Sequence, residues 1–196
     1  MPRMRAAERA IWLKVTLKGV RPPIGRRLLV EDTMSSAPST SRCRRRWAGR
    51  NSHLHLFLVG GEQIGDPGQL DDVADEARVT VGDLAGSGGK SFACIYDMGD
   101  DWEHTIEVEG SGPIEAGRAY PVCVGGRRAC PPEDSGGPWG FTEIMEAVAD
   151  PRHERHAEAK AWLGDFDPRA FSVDAAEARV RQWFAPKRAR RPRGKR

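Results

Sequence analysis

From residue 11 to residue 18 the chain alternates. Ile11, Leu13, Val15 and Leu17 fall on one side, Lys14, Thr16 and Lys18 on the other, and Trp12 stands apart from the apolar set. A period of two predicts a strand with one buried face. Pro22-Pro23 ends it, and residues 27–30 predict a short second strand. Residues 53–59 predict a third: Leu54, Leu56 and Leu58 line one face, and His53, His55, Phe57 and Val59 the other, before Gly60-Gly61 stops the run. Residues 65–89 read as acidic loop, with one helical turn over 81–85. The clearest hairpin follows. Phe92, Cys94 and Tyr96 share a face on its first arm, and Trp102, His104, Ile106 and Val108 share one on its second. Asp97-Met-Gly-Asp-Asp101 supplies the turn between them. Residues 120–124 predict one more strand ahead of a Gly/Pro-rich loop over 125–140.

Beyond that loop the period becomes helical. Phe141, Ile144, Met145 and Val148 fall at i, i+3, i+4 and i+7 and predict a helix to about residue 150. A polar helix over 154–163 is expected to bury Ala157, Ala161 and Trp162. Ser172 can cap a last helix with an inner stripe of Val173, Ala176, Val180 and Trp183. Strands first and helices last predict an α+β fold, an antiparallel β-sheet covered by C-terminal helices. The expected organisation is an arm over 1–9, a single domain over 10–184 and a tail over 185–196. Six Trp and six Phe exclude a chain disordered throughout. No apolar run approaches the ~20 residues of a membrane span, and residues 1–8 carry no signal-peptide core. The expectation is a cytoplasmic protein without a membrane partner, its Cys43, Cys94, Cys123 and Cys130 reduced.

Charge adds one feature to that picture. The formal net charge of +3 conceals an acidic body with two basic segments. One is the tail: Lys187, Arg188, Arg190, Arg191, Arg193, Lys195 and Arg196, without an acid among them. Too polar to bury itself, it is expected to be disordered, and its natural partner is a polyanion such as nucleic acid. No aromatic or amide group there can read bases, so such binding would be nonspecific. The other segment holds Arg42, Arg44, Arg45, Arg46 and Arg50.

Three strings are distinctive: Asn51-Ser-His-Leu-His55, Tyr96-Asp-Met-Gly-Asp-Asp-Trp-Glu-His104, and Arg128-Ala-Cys-Pro-Pro-Glu-Asp-Ser-Gly-Gly-Pro-Trp-Gly-Phe141. In this order they resemble the plasmid pRiA4b ORF-3-like family, over about residues 10–183. The resemblance implies a compact α+β domain in a setting of plasmids and mobile elements. Some family members carry a transposon-resolvase-type label, but no catalytic Ser stands in a recognisable motif here, so that activity is not carried over.

Two departures from the family pattern stand out. Gly25 replaces a large aromatic after Pro22-Pro23-Ile24. Between Met34 and Asn51, where the resemblance implies an amphipathic helix ending Gln-Ala-Ala-Met-Gly-Trp, the chain reads Ser35-Ser-Ala-Pro-Ser-Thr-Ser-Arg-Cys-Arg-Arg-Arg-Trp-Ala-Gly-Arg50. With GC-rich codons, the shifted frame of this stretch permits Leu-Arg-Ala-Leu-His-Val-Glu-Val-Gln-Ala-Ala-Met-Gly-Trp-Glu. A pair of compensating frameshifts over 35–50 accounts for both the Arg cluster and the lost helix. The stretch is expected to be poorly packed, and restoring the shifted-frame residues is expected to raise the melting temperature by several degrees in a thermal unfolding scan.

The motif residues supply the candidate pocket: Asn51, His53, His55, Tyr96, Asp97, Asp100, Asp101, Trp102, His104, Cys130, Glu133, Asp134 and Trp139. His53 and His55, two apart on one strand face, together with His104, Cys123 and Cys130, form a candidate set for zinc or another divalent metal. Against that set, His104 shares its face with Trp102, Ile106 and Val108 and equally suits a hydrogen-bonded core position. No cofactor is otherwise expected. The Asp97–Asp101 carboxylates suit acid–base work or simply the turn. The 130–140 loop either offers an anion site at a helix N-terminus or is pinned to the sheet by Pro138 and Trp139. No P-loop, GxGxxG, nucleophile elbow or HExxH is present. Two functions follow from these residues: a binding or accessory module linked to mobile DNA, or a metal-dependent hydrolase or nuclease using the His53/His55/His104 region.

Overall fold

Residues 8–37 and 53–183 are described by a computed structural model of the chain, the side chain of Trp183 excepted. Among the described residues, eight strands form a single sheet: β1 (Arg9–Leu17), β2 (Gly25–Glu31), β3 (His55–Val59), β4 (Glu62–Gly65), β5 (Ala74–Asp75), β6 (Ser91–Tyr96), β7 (Trp102–Pro113) and β8 (Val122–Arg127). Four helices accompany them: α1 (Val81–Ser87), α2 (Gly137–Ala149), α3 (His156–Leu163) and α4 (Val173–Trp183). The strand order is β5-β4-β3-β6-β7-β1-β2-β8, antiparallel except for the short β4–β5 pair. The architecture is α+β.

The alternation in β1 continues across its neighbours. Val15 faces Ile106 on β7, Leu13 faces Leu28 on β2, and Phe92 faces Ile106 across the β6–β7 hairpin. These residues form one apolar face. Ile11, Leu13, Val30, Phe57, Val59 and Phe92 pack there against Val81 and Leu84 of α1. A second cluster joins Leu17, Val20, Ile24, Tyr96 and Trp102 to Phe141 of α2. The opposite face is polar, and ion pairs Lys14–Glu107, Lys18–Glu103 and Arg27–Glu109 tie its strands together. A shift of register between Trp12 and Leu13 accompanies the turning of Trp12 away from the core, where its ring lies over Gly110 and Gly112.

Local chemistry explains the helix starts. Thr80 and Asp83 form a reciprocal capping box at α1, extending the expected single turn to seven residues. Pro138 sits in the first turn of α2, where its missing N–H is harmless. The acidic 65–89 stretch also holds β5 and a 3₁₀ turn, Glu76–Arg78, capped by Asp75.

Two expectations about burial need correction. α3 buries Ala159 rather than Ala157 and Ala161, and Trp162 is exposed. α4 buries Ala176 and Val180 but leaves Val173 exposed. At the start of the Arg-rich stretch, Ser35 bridges Thr80, and buried Ser36 donates its hydroxyl to the Glu76 carbonyl at 3.0 Å. The remainder of that stretch, Cys43 and Asn51 included, lies outside the described residues. So do the arm up to residue 7 and the basic tail. No helix among the described residues is long and apolar enough to cross a membrane.

Candidate metal centre

His53 stands just before β3, at the end of the sheet where the β6–β7 turn folds back. The backbone N–H of Asp97 donates to the Leu54 carbonyl at 2.8 Å, which brings Asp97 beside His53. Asp97 is buried, 6% exposed, and adopts a left-handed φ of 58°. Its Oδ1 accepts from the Gly99 N–H at 3.1 Å. Its Oδ2 lies 3.0 Å from His53 Nδ1. Such a carboxylate fixes both the tautomer and the ring orientation of a histidine.

The other imidazole nitrogen, Nε2, points towards the 130–136 loop. It lies 3.9 Å from Glu133 Oε2 and 3.8 Å from Asp134 Oδ1. One ligand atom each from His53, Asp97 and Glu133 fits within 4.8 Å. Cations held by nitrogen and oxygen ligands bond them at about 2.0–2.2 Å, so an ion could bridge His53 and Glu133, whereas Asp134 lies outside this close group. The donor set suits zinc, manganese or iron. Tyr96 donates its hydroxyl to Glu133 at 3.3 Å. Burial raises the Glu133 carboxyl above its ordinary range, and the nearby Asp134 and Asp97 charges add to that, while His53 and Tyr96 act the other way. Burial and the same carboxylates raise the Tyr96 phenol, keeping it a donor. One imidazole thus faces three carboxylates, a charge balance that a divalent ion would correct.

Glu133 also borders a cavity of about 180 Å³ along the inner sheet face. Its walls include Leu17, Ile24, Trp102, Pro132 and Val180, so the polar cluster adjoins an apolar space.

The remaining candidates have other partners. His55 Nε2 lies 2.6 Å from Glu76 Oε2, on a carboxylate with 4% of its side chain exposed. The fold parts His53 from His55 despite their spacing, because each meets its own acid. His104 places Nδ1 3.1 Å from the Trp102 carbonyl. Burial holds its pKa below the ordinary 6.5, partly offset by hydrogen bonds to the Cys94 and Trp102 backbones. The Cys94 thiol is pushed up to about 12, first by burial and then by the Glu76 charge. Cys123 is buried with Sγ towards the Gly125 carbonyl, and Cys130 accepts a hydrogen bond from Arg26. Neither joins His53. Trp102 belongs to the core and Asp101 is exposed in the turn. Trp139 is 88% exposed, and it is Pro138 that lies against Gly19.

The chain matches the family model described as plasmid pRiA4b ORF-3-like protein over residues 9–175. The chain belongs to this family. Its relatives include the uncharacterized protein y4hQ of Sinorhizobium fredii, 38% identical over 190 residues, spanning 94% of this chain and 97% of that one. A protein of unknown function from Methanosarcina mazei Go1, MM3350, has a similar crystal structure. Its TM-score is 0.77 at 32% identity, covering 87% of this chain and 98% of that chain. The plasmid connection of the family is carried by its name.

Two partners of the motif residues escaped the sequence reading. Glu76 lies in a stretch read as acidic loop, and nothing in its local pattern marks it as the acid that meets His55. Arg26 donates to the Gly25, Arg127 and Arg128 carbonyls and lies 4.7 Å from the Phe171 ring centroid. It thereby anchors the start of the 130–136 loop.

The half-buried His104 gives a pH dependence with a definite sign. The folded state takes up this proton less readily than the unfolded chain. Stability from this residue is therefore present above about pH 6.5 and declines as the pH falls below it. Urea unfolding between about pH 7 and pH 5 is expected to show a flatter stability profile for His104→Asn than for the parent protein. Parallel profiles would contradict this reading.

Proposed function

We propose that the protein is a divalent-cation-dependent hydrolase, with the cation held between His53 Nε2 and Glu133 and with Asp134 on its open side. The observation that carries this reading is the grip of Asp97 on His53 Nδ1, which leaves Nε2 facing two further carboxylates. A cation there would polarise a bound water and lower its pKa towards neutrality. The exposed side of Asp134, 81% accessible, leaves room for that water and for a substrate. In this reading His53 acts with carboxylates, while His55 faces Glu76 and His104 faces the Trp102 carbonyl.

The alternative of a noncatalytic module linked to mobile DNA draws on the basic tail, whose residues lie outside those described. The carboxylates favour a neutral substrate over a phosphodiester backbone, which they would repel unless the cation screens them. With zinc or manganese added, the protein is expected to cleave an activated neutral ester faster than the cation alone. His53→Ala is expected to return the rate to that background. Equal rates for parent and variant would overturn the hydrolase reading.

A further inference from the structure

Resting on that cation site, we propose that Asp100 is its positioning residue, a latch that sets the distance between the two halves of the site. One half is His53 with Asp97, carried by β3 and the β6–β7 turn. The other is Glu133 with Asp134, carried by the loop before α2. Each half is stiff within itself. In the turn, Asp97 accepts from the Gly99 N–H, and the Asp100 N–H donates to the Asp97 carbonyl at 3.1 Å. In the loop, buried Ser135 donates its hydroxyl to the Pro132 carbonyl at 2.9 Å. Gly140 lies so close to the Ser135 carbonyl that a Cβ would come within 2.4 Å of it.

The halves meet at Asp100. Its Oδ2 accepts from the Gly136 N–H at 3.2 Å, at the residue that caps α2 and has no capping side chain of its own. Its carbonyl lies against Gly137, where a Cβ would stand 2.1 Å away. Gly137 has a φ of 68°, so this position needs glycine both for space and for backbone conformation. Asp97 and Asp134 hold left-handed φ values of 58° on either side of the latch. Nonglycine residues in that region persist only where their surroundings enforce it. Asp100 is not one of the donors grouped around the proposed ion. It acts by holding the loop of Glu133 and Asp134 opposite Nε2, at 3.9 and 3.8 Å.

The test compares Asp100→Ala, which removes the acceptor, with Asp100→Asn, which keeps an acceptor and loses the charge. Binding of Mn²⁺ and Zn²⁺ by the metal-free proteins is measured by calorimetry, and amide exchange at Gly136 by NMR. Asp100→Ala is expected to weaken cation binding about tenfold or more and to speed Gly136 exchange, while Asp100→Asn stays within about threefold of the parent on both readouts. His53→Ala is the control for the site itself. If His53→Ala abolishes binding but Asp100→Ala leaves it unchanged, the latch is wrong and the cation site stands. Equal losses in the Ala and Asn variants would make Asp100 a charge effect, and also overturn the latch. If the parent binds no cation, both the site and the latch fall. Gly137→Ala provides a second route, because it forces the halves apart while leaving the carboxylate of Asp100 intact. It is expected to weaken binding at least as much as Asp100→Ala, and unchanged binding would count against the latch.

Discussion

Replacing Asp97 with Ala is expected to weaken divalent-cation binding by about 10- to 100-fold, although Asp97 need not touch the ion. Its carboxylate is the partner of His53 Nδ1 at 3.0 Å. Without it the imidazole can rotate and change tautomer, and Nε2 no longer faces Glu133 and Asp134. Asp97→Asn retains an oxygen for Nδ1–H and is expected to lose less. The competing outcome is equally specific. If Asp97→Ala and the parent bind Mn²⁺ or Zn²⁺ with the same affinity, the histidine is not oriented through this contact. The Glu133 carboxyl adds a pH signature. Because its pKa is raised, chiefly by burial, protons compete with the cation there before ordinary surface carboxylates titrate. Cation affinity is therefore expected to decline on acidification from a pH above the usual carboxylate range. A calorimetric pH series on the parent and on Glu133→Gln reads this directly, since the variant should lose that part of the dependence.

The second large effect belongs to the core that supports the loop. Phe141 is 3% exposed and packs with Leu17, Val20, Ile24, Tyr96 and Trp102. It also meets Phe166 edge-on, with ring centroids 6.1 Å apart. Phe141→Ala removes a buried aromatic ring at a cost of about 3–5 kcal/mol. For a chain of this size that lowers the melting temperature by about 10 °C. Thermal unfolding followed by circular dichroism measures it, and a drop below about 2 °C would mean that α2 is not held by this ring. Because α2 starts at Gly137, directly after the loop that carries Glu133 and Asp134, the same variant should weaken cation binding more than its loss of stability alone explains.

The core of the sheet was legible because period-two alternation in residues 11–18 and the hairpin around Asp97 leave only one face for the apolar side chains. Phe141 was legible in the same way, at the head of a helical stripe. The site was only half legible. His53, Asp97, Glu133 and Asp134 stand in the three distinctive strings, yet nothing in their spacing says that Asp97 meets His53 while Glu76 meets His55. That sorting depends on the backbone bond from Asp97 to Leu54 and on a 3₁₀ turn in a stretch with no strong period. His104 shows the limit of reading a residue by type. A histidine suited to a metal is, in its actual surroundings, half-buried on the sheet with Nδ1 on the Trp102 carbonyl. Trp139 shows the converse, a large aromatic beside a motif glycine that lies open to solvent.

The claim that His53 and its carboxylates form a cation site is tested most directly by calorimetric titration of the metal-free protein with Zn²⁺ and Mn²⁺, beside His53→Ala. The account predicts saturable binding of one ion per chain in the parent and none at that site in the variant. Absence of binding in the parent, or the same isotherm from both proteins, would contradict it.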